Sequence, residues 1–292
     1  MPLPGRAERA VRGRLRDLVE LRPLLDEVPE QVAEGSIAEA YADIRRVLGV
    51  RMVVLVYRAL AAQPGRLERA WDSLAANLAA GETQRNAASL EPPEIGAVEP
   101  LSRATLTVAG FDPSLLAGTL DGFDRANRLN LIGLTSLLTG AIGDPCADAA
   151  PAPPVAPGEM LPMADLAAVP HATLELLQRM SAPIAGPERP LVIPSLFRCF
   201  AHEPELLNAI WCSIEPAVTS HGFPTAVSAV SRRAQDLTMR LPYAITRTDD
   251  DETREIASRF VTTISAMIVT TRLLRVALRW VPSDAGGPSA TR

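Results

Sequence analysis

An all-α fold made of two related halves is predicted by three observations. These are a repeated phrase, a near-continuous succession of helical apolar spacings, and the lack of any convincing strand run. The phrase "LVYRALAAQPGRLERAWDSL" starts at Leu55, and "SLFRCFAHEPELLNAIWCSI" starts at Ser195, 140 positions further on. Aligned without a gap, they share Arg58 with Arg198, Ala61 with Ala201, Pro64 with Pro204, Leu67 with Leu207, Trp71 with Trp211 and Ser73 with Ser213. Only three tryptophans occur in the chain, so two in register argue for a duplication. Two copies are too few for a solenoid. A pseudo-twofold pair, arranged much as a homodimer would be, is the expected architecture.

Residues 1–30 read as an arginine-rich amphipathic helical extension outside the repeat. The first repeat, 31–143, opens with Ser36 and Glu39, the spacing of a capping box, ahead of Ala40, Ile44 and Val47 on one helix side. A second helix is expected from about Met52 to Ala62, and Pro64 suits the first turn of a third, where its missing N–H costs nothing. Leu67, Trp71, Leu74 and Leu78 then form an apolar stripe. Asp112 is a candidate N-cap for a long helix running to about Ala141. The stretch "DPCADAAPAPPVAPGEMLP", residues 144–162, is rich in Pro and Ala and reads as an extended linker. In the second repeat, 163–282, "RTDDDETREIASRF" puts acidic residues at the positive end of a helix that continues to about Trp280. Residues 283–292 read as a loose tail.

Composition excludes several classes of function. A net charge of -5 without a basic cluster makes nucleic acid and anionic membranes poor partners. The apolar run "FVTTISAMIVTT" is bracketed by Arg259 and Arg272 and falls short of a membrane span. With no charged start leading into an apolar signal core, a cytoplasmic location is expected. Cys146, Cys199 and Cys212 are odd in number and widely spaced, which argues against a disulfide framework or a zinc pair, and the three histidines lack ligand spacing. All 29 basic residues are arginine. Without lysine there is no Schiff-base amine, pyridoxal anchor or P-loop lysine.

Candidate chemistry centres on the first long helix. Leu116, Leu120, Phe123, Asn127, Leu131, Leu134 and Leu138 share one face, so Asn127 is a carboxamide in an apolar stripe. It either bonds a neighbouring helix or points its donors at a ligand. Thr262, Thr263, Thr270 and Thr271 lie on the corresponding second-half helix, where threonine usually bonds back to its own backbone. Arg58 and Arg198 could grip a carboxylate, or serve the scaffold by pairing with acids such as Asp43 or Glu175. His202 sits at a helix end with no visible partner, and "TDDDE", residues 248–252, is read as helix-start charge rather than a metal site.

"EAYADIRRVLGVRMVVLVYRALAAQPGRLERAW", then "FDRAN" leading into a long helix, then "PSLFRCFAHEPELL" together resemble the DehI-type, group I 2-haloacid dehalogenases over roughly residues 30–280. The resemblance implies an all-helical pseudo-dimer with the active site between the halves and with no metal or organic cofactor. It implies that an aspartate activates water to displace halide while an asparagine helps hold the reacting groups. Asn127 falls on that asparagine and Ser195 on a pocket serine, but the position of the aspartate, directly after the serine, is Leu196. The family's pocket tryptophan and phenylalanine correspond to Met52 and Leu55, and its tyrosine to Thr262 or Thr263. Smaller or more flexible chains there imply a roomier, still apolar pocket.

Leucine cannot take a proton from water, and general-base assistance is worth about 10²- to 10⁴-fold. The reading is therefore a repurposed cofactor-independent enzyme acting on an apolar small molecule by cyclisation, isomerisation or elimination, with a homodimer as a possible assembly. The alternatives are a true 2-haloacid dehalogenase with a relocated base, for which Asp124 is the nearby carboxylate, and a non-catalytic small-molecule-binding protein. The phrase "FRCFAHEPEL" is also similar to carboxymuconolactone decarboxylase-like helical proteins, whose paired cysteines this chain lacks.

Overall fold

The structure, a computed structural model, describes residues 26–102, 112–185 and 192–278. Every regular element among them is helical, and other pairing is limited to two isolated bridges, Ala80 with Pro151 and Ala141 with Ile245. Most of the expected N-terminal helix and all of the expected tail lie outside the described residues. After a 3-10 turn at Glu30–Val32 come α1 (Gly35–Leu48), α2 (Leu55–Leu60), α3 (Arg66–Ala79), α4 (Gly81–Ala88) and α5 (Pro113–Thr139). The second half holds α6 (His171–Ala185), α7 (Ser195–Phe200), α8 (Pro204–Val218), α9 (Gly222–Thr238) and α10 (Asp251–Ala277).

Several helix starts differ from expectation, each for a local reason. Ser36 lies inside α1, and its hydroxyl donates to Glu68 Oε1 at 2.7 Å, so no capping box forms. Residues 52–54 precede α2 because the Val53 amide is held by Glu30 Oε1 at 2.7 Å and Val54 is extended. Gly65, at φ +71°, takes the left-handed position before α3 and leaves Pro64 outside the helix. Pro204 has no glycine after it and does occupy the first turn of α8.

Both long helices begin at an aspartate cap, at the expected Asp112 and, within the acidic run, at Asp250. Asp112 accepts from the Ser114 amide at 2.8 Å, and Asp250 accepts from the Glu252 amide at 3.3 Å. Gly140, at φ +78°, follows α5. In the C-terminal half of α5, Leu129, Leu131, Ile132, Leu134 and Leu137 are all buried, as are Asn127, Arg128 and Asn130, so this stretch is surrounded by protein. The apolar stretch of α10 is long enough, by length and composition, to cross a membrane, yet 67% of it is buried in the fold.

α5 and α10 share the most extensive helix–helix contact, with α3 and α4 against α5, and α8 and α9 against α10. The short helices cross over: α2 packs on α10, and α7 packs on α5. That exchange brings the starts of α2 and α7 beside the central pair. Tyr57 on α2 meets Trp71 edge to face at 5.4 Å, a geometry worth about 0.5–1.5 kcal/mol beyond simple burial.

No helix interrupts the segment from Gly140 to Pro170, and part of it is bound to the first half. The Gly81 amide donates to Ala150 O and the Ala152 amide to Ala79 O, both at 2.8 Å. The Leu161 amide donates to Thr119 Oγ1 at 2.8 Å. Arg58 pairs with Glu27 at 3.3 Å and Arg198 donates to Ala164 O, rather than to Asp43 or Glu175. Asp43 instead accepts from Trp71 and Arg46, while Glu175 faces His171 at 3.7 Å. Thr270 and Thr271 bond back to Ala266 O and Met267 O.

Candidate functional site

A hollow opens where the first turns of α2 and α7 meet the central pair. Leu55 and Val56 line it from α2 with Val54 just before, and Ser195 and Leu196 line it from α7 with Val192, Ile193 and Pro194 just before. α5 contributes Phe123, Asn127 and Asn130, while α10 contributes Phe260, Thr263, Ile264 and Met267. The spacing is the same on both helices, four then three, because side chains at those steps share a helix face. Phenylalanine opens both sets, but amides on α5 stand where α10 carries isoleucine and methionine. The carboxamides are therefore confined to the α5 wall.

None of the lining residues is ionisable at ordinary pH. The cavity volume is about 70 Å³, within about 550 Å³ of atom-free space that includes the open mouth. That leaves room for a few waters or a compact small molecule.

Five of the eight residues singled out in the sequence meet at this hollow: Asn127, Ser195, Leu55, Leu196 and Thr263. Asn127 is buried, and among the described residues its carboxamide has no hydrogen-bond partner. Leu196 is 1% exposed. Ser195, the first residue of α7, is half-buried at the rim. Thr263 donates to Arg259 O at 3.1 Å, so its hydroxyl proton is already committed to its own helix.

Three residues are placed elsewhere. Met52 packs against the core before α2 and does not line the hollow. Thr262 bonds back to Ser258 O at 3.4 Å and is not among the lining residues. Asp124, the nominated base, also faces away: its carboxylate pairs with Arg128 at 3.0 Å and with Arg275 at 3.5 Å. Arg128 is itself buried, and burial opposes its charge while Asp124 and Glu91 favour it; the balance raises its pKa. Asp124 thus anchors an ion-pair network between α5, α10 and the segment after α4.

Sequence reasoning missed Asn130. It is 0% exposed, lines the hollow one turn beyond Asn127, and accepts from the Tyr57 hydroxyl at 2.7 Å through Oδ1. Its Nδ2 is buried without a partner. An orphaned buried donor of this kind costs about 1–3 kcal/mol. The signal was present in "FDRAN" followed by "RLN", because the step of three from Asn127 reaches Asn130, whereas the apolar stripe takes the step of four to Leu131.

No family model matches this chain, and neither does any curated protein. Solved structures do match. A D-2-haloacid dehalogenase mutant in complex with D-2-CPA superposes with a TM-score of 0.74 at 17% identity, over 87% of this chain and 96% of that one. The fold is that of the D-2-haloacid dehalogenases. A second mutant of such an enzyme gives 0.71 at 17% identity over 87% and 94% of the two chains. A D-2-haloacid dehalogenase with L-LA gives 0.69 at 18% identity over the same shares. Identities this low carry the architecture and leave the chemistry to be argued from the hollow itself.

Proposed function

We propose that this protein is a diverged member of the dehalogenase-like scaffold whose hollow takes a compact, mostly apolar small molecule bearing one hydrogen-bond-accepting oxygen. It acts on that molecule without a metal or organic cofactor. The observation that carries the reading is the lining: apolar side chains, two carboxamides with uncommitted donors, a serine hydroxyl, and no carboxylate among the described residues. Amide and hydroxyl dipoles polarise an oxygen, and close apolar walls hold the rest of a molecule in one orientation. Such a site is suited to cyclisation, isomerisation or elimination, in which charge develops on one oxygen. Hydrolysis needs a base for its water, and Leu196 stands where the resemblance places one. Asp124 does not supply it, since two arginines hold its carboxylate away from the lining.

The test is halide release from both enantiomers of 2-chloropropionate. The wild-type chain is expected to release none above the uncatalysed rate, and Leu196→Asp to release it measurably. Turnover by the wild type would overturn the reading in favour of a dehalogenase.

A further inference from the structure

We propose that Asn130 is a second ligand-facing amide, oriented by Tyr57, and that Asn127 and Asn130 together hold the uncharged carbonyl oxygen of the ligand. This rests on the reading that the hollow is the ligand site. Three observations carry it.

The first is that both amides line one wall of the hollow a single turn apart, and both have uncommitted N–H groups among the described residues. Two donors from successive turns of one helix can converge on one oxygen, which has two lone pairs.

The second is the orientation of Asn130. Tyr57 donates to Oδ1, which leaves Nδ2 as the free end. The reverse orientation would orphan both the phenolic proton and the amide oxygen, so the arrangement seen leaves the fewest groups unpaired. Burial pushes the Tyr57 phenol up, so it stays a donor throughout the ordinary pH range. Tyr57 is itself held edge to face against Trp71 and is not among the lining residues, so it is a positioning residue rather than a contact.

The third is charge. No arginine or histidine lines the hollow among the described residues. A carboxylate drawn into it would lose hydration without gaining a cation, a cost that amide donors do not return. A ketone, ester or amide carbonyl brings no such penalty.

The experiment titrates the full chain with three probes of similar size: butan-2-one, propionate and 2-methylbutane. Binding and the side-chain amide signals of Asn127 and Asn130 are followed by ¹⁵N NMR. Butan-2-one is expected to shift both amides and to bind more tightly than propionate. Asn130→Leu should weaken butan-2-one about 10-fold, and Tyr57→Phe about 3-fold, with 2-methylbutane unchanged in both. A merely structural role for Asn130 would move all probes alike, and that result would overturn the proposal. So would butan-2-one shifting Asn127 alone, or propionate binding as tightly, and in either case the hollow would remain the ligand site. If no probe binds, the functional reading falls together with this one. Should Asn130→Leu fail to fold, Tyr57→Phe decides, because unchanged butan-2-one affinity in that variant also overturns the proposal.

Discussion

Trp71 donates its indole N–H to Asp43 Oδ2 at 2.9 Å. Trp211, at the matching place in the second phrase, has its Nε1 buried with no partner among the described residues. Counting from Asp43 by the displacement that separates the tryptophans leads to Pro183, inside α6, which has no accepting side chain. Replacing each indole by phenylalanine removes similar volume but different polar bookkeeping. Trp71→Phe should therefore cost about 2 kcal/mol more than Trp211→Phe in urea unfolding, and equal losses would show that the bond to Asp43 contributes nothing.

Gly118 allows the linker to lie directly on α5. A Cβ there would sit 2.1 Å from Glu159 O, closer than atoms can approach. Glycine to alanine inside a helix ordinarily stabilises by about 0.5–1 kcal/mol. Here the sign should reverse. Gly118→Ala is expected to lower stability by about 1–3 kcal/mol and to make residues 156–161 more sensitive to limited proteolysis. A stabilised, equally resistant variant would count against the close approach.

Asp250 ties α10 to α3. Its carboxylate accepts from the Thr253 hydroxyl and from Arg66 Nε at 2.8 Å, and these bonds outweigh desolvation to hold its pKa below the usual value. A depressed folded-state pKa stabilises above the unfolded value of about 3.9 and is lost as pH falls through the folded one. Asp250→Asn should thus be less stable than wild type at neutral pH, with the gap closing in acid. Parallel melting curves from neutral pH down to strong acid read this directly, and a gap independent of pH would refute the linkage.

Cys199 is 1% exposed, and burial pushes its thiol up to about 12, whereas Cys146 and Cys212 are exposed. At pH 8 a thiolate-trapping reagent should label two cysteines of the native chain, the third reacting only in denaturant. Labelling of Cys199 at a rate like the other two would contradict its placement against the core.

Much of the architecture was legible because helical spacing is local. The stripe through Leu67, Trp71, Leu74 and Leu78, the cap at Asp112 and the acidic start of α10 depend on neighbours within a few positions. Misread starts share a cause: Ser36 and Val53 answer to Glu68 and Glu30, which are distant in sequence. For the candidate site, Asn127 and Ser195 were visible as polar residues at unusual places. Asp124 looked equally available, since nothing in the sequence shows that Arg275 reaches it from α10.

The chain alone determined that it would fold into helices, and that an amide at position 127 would interrupt an apolar face. Periodicity and capping act over one or two turns and need no partner to be read. Only the tertiary structure decided that α2 and α7 cross to the opposite long helix, that their first turns and the α5–α10 pair enclose a hollow, and that Asn130 enters it with Tyr57 at its back. Which face of a helix meets which neighbour is settled by long-range packing, where burial, volume and unpaired polar groups are weighed together.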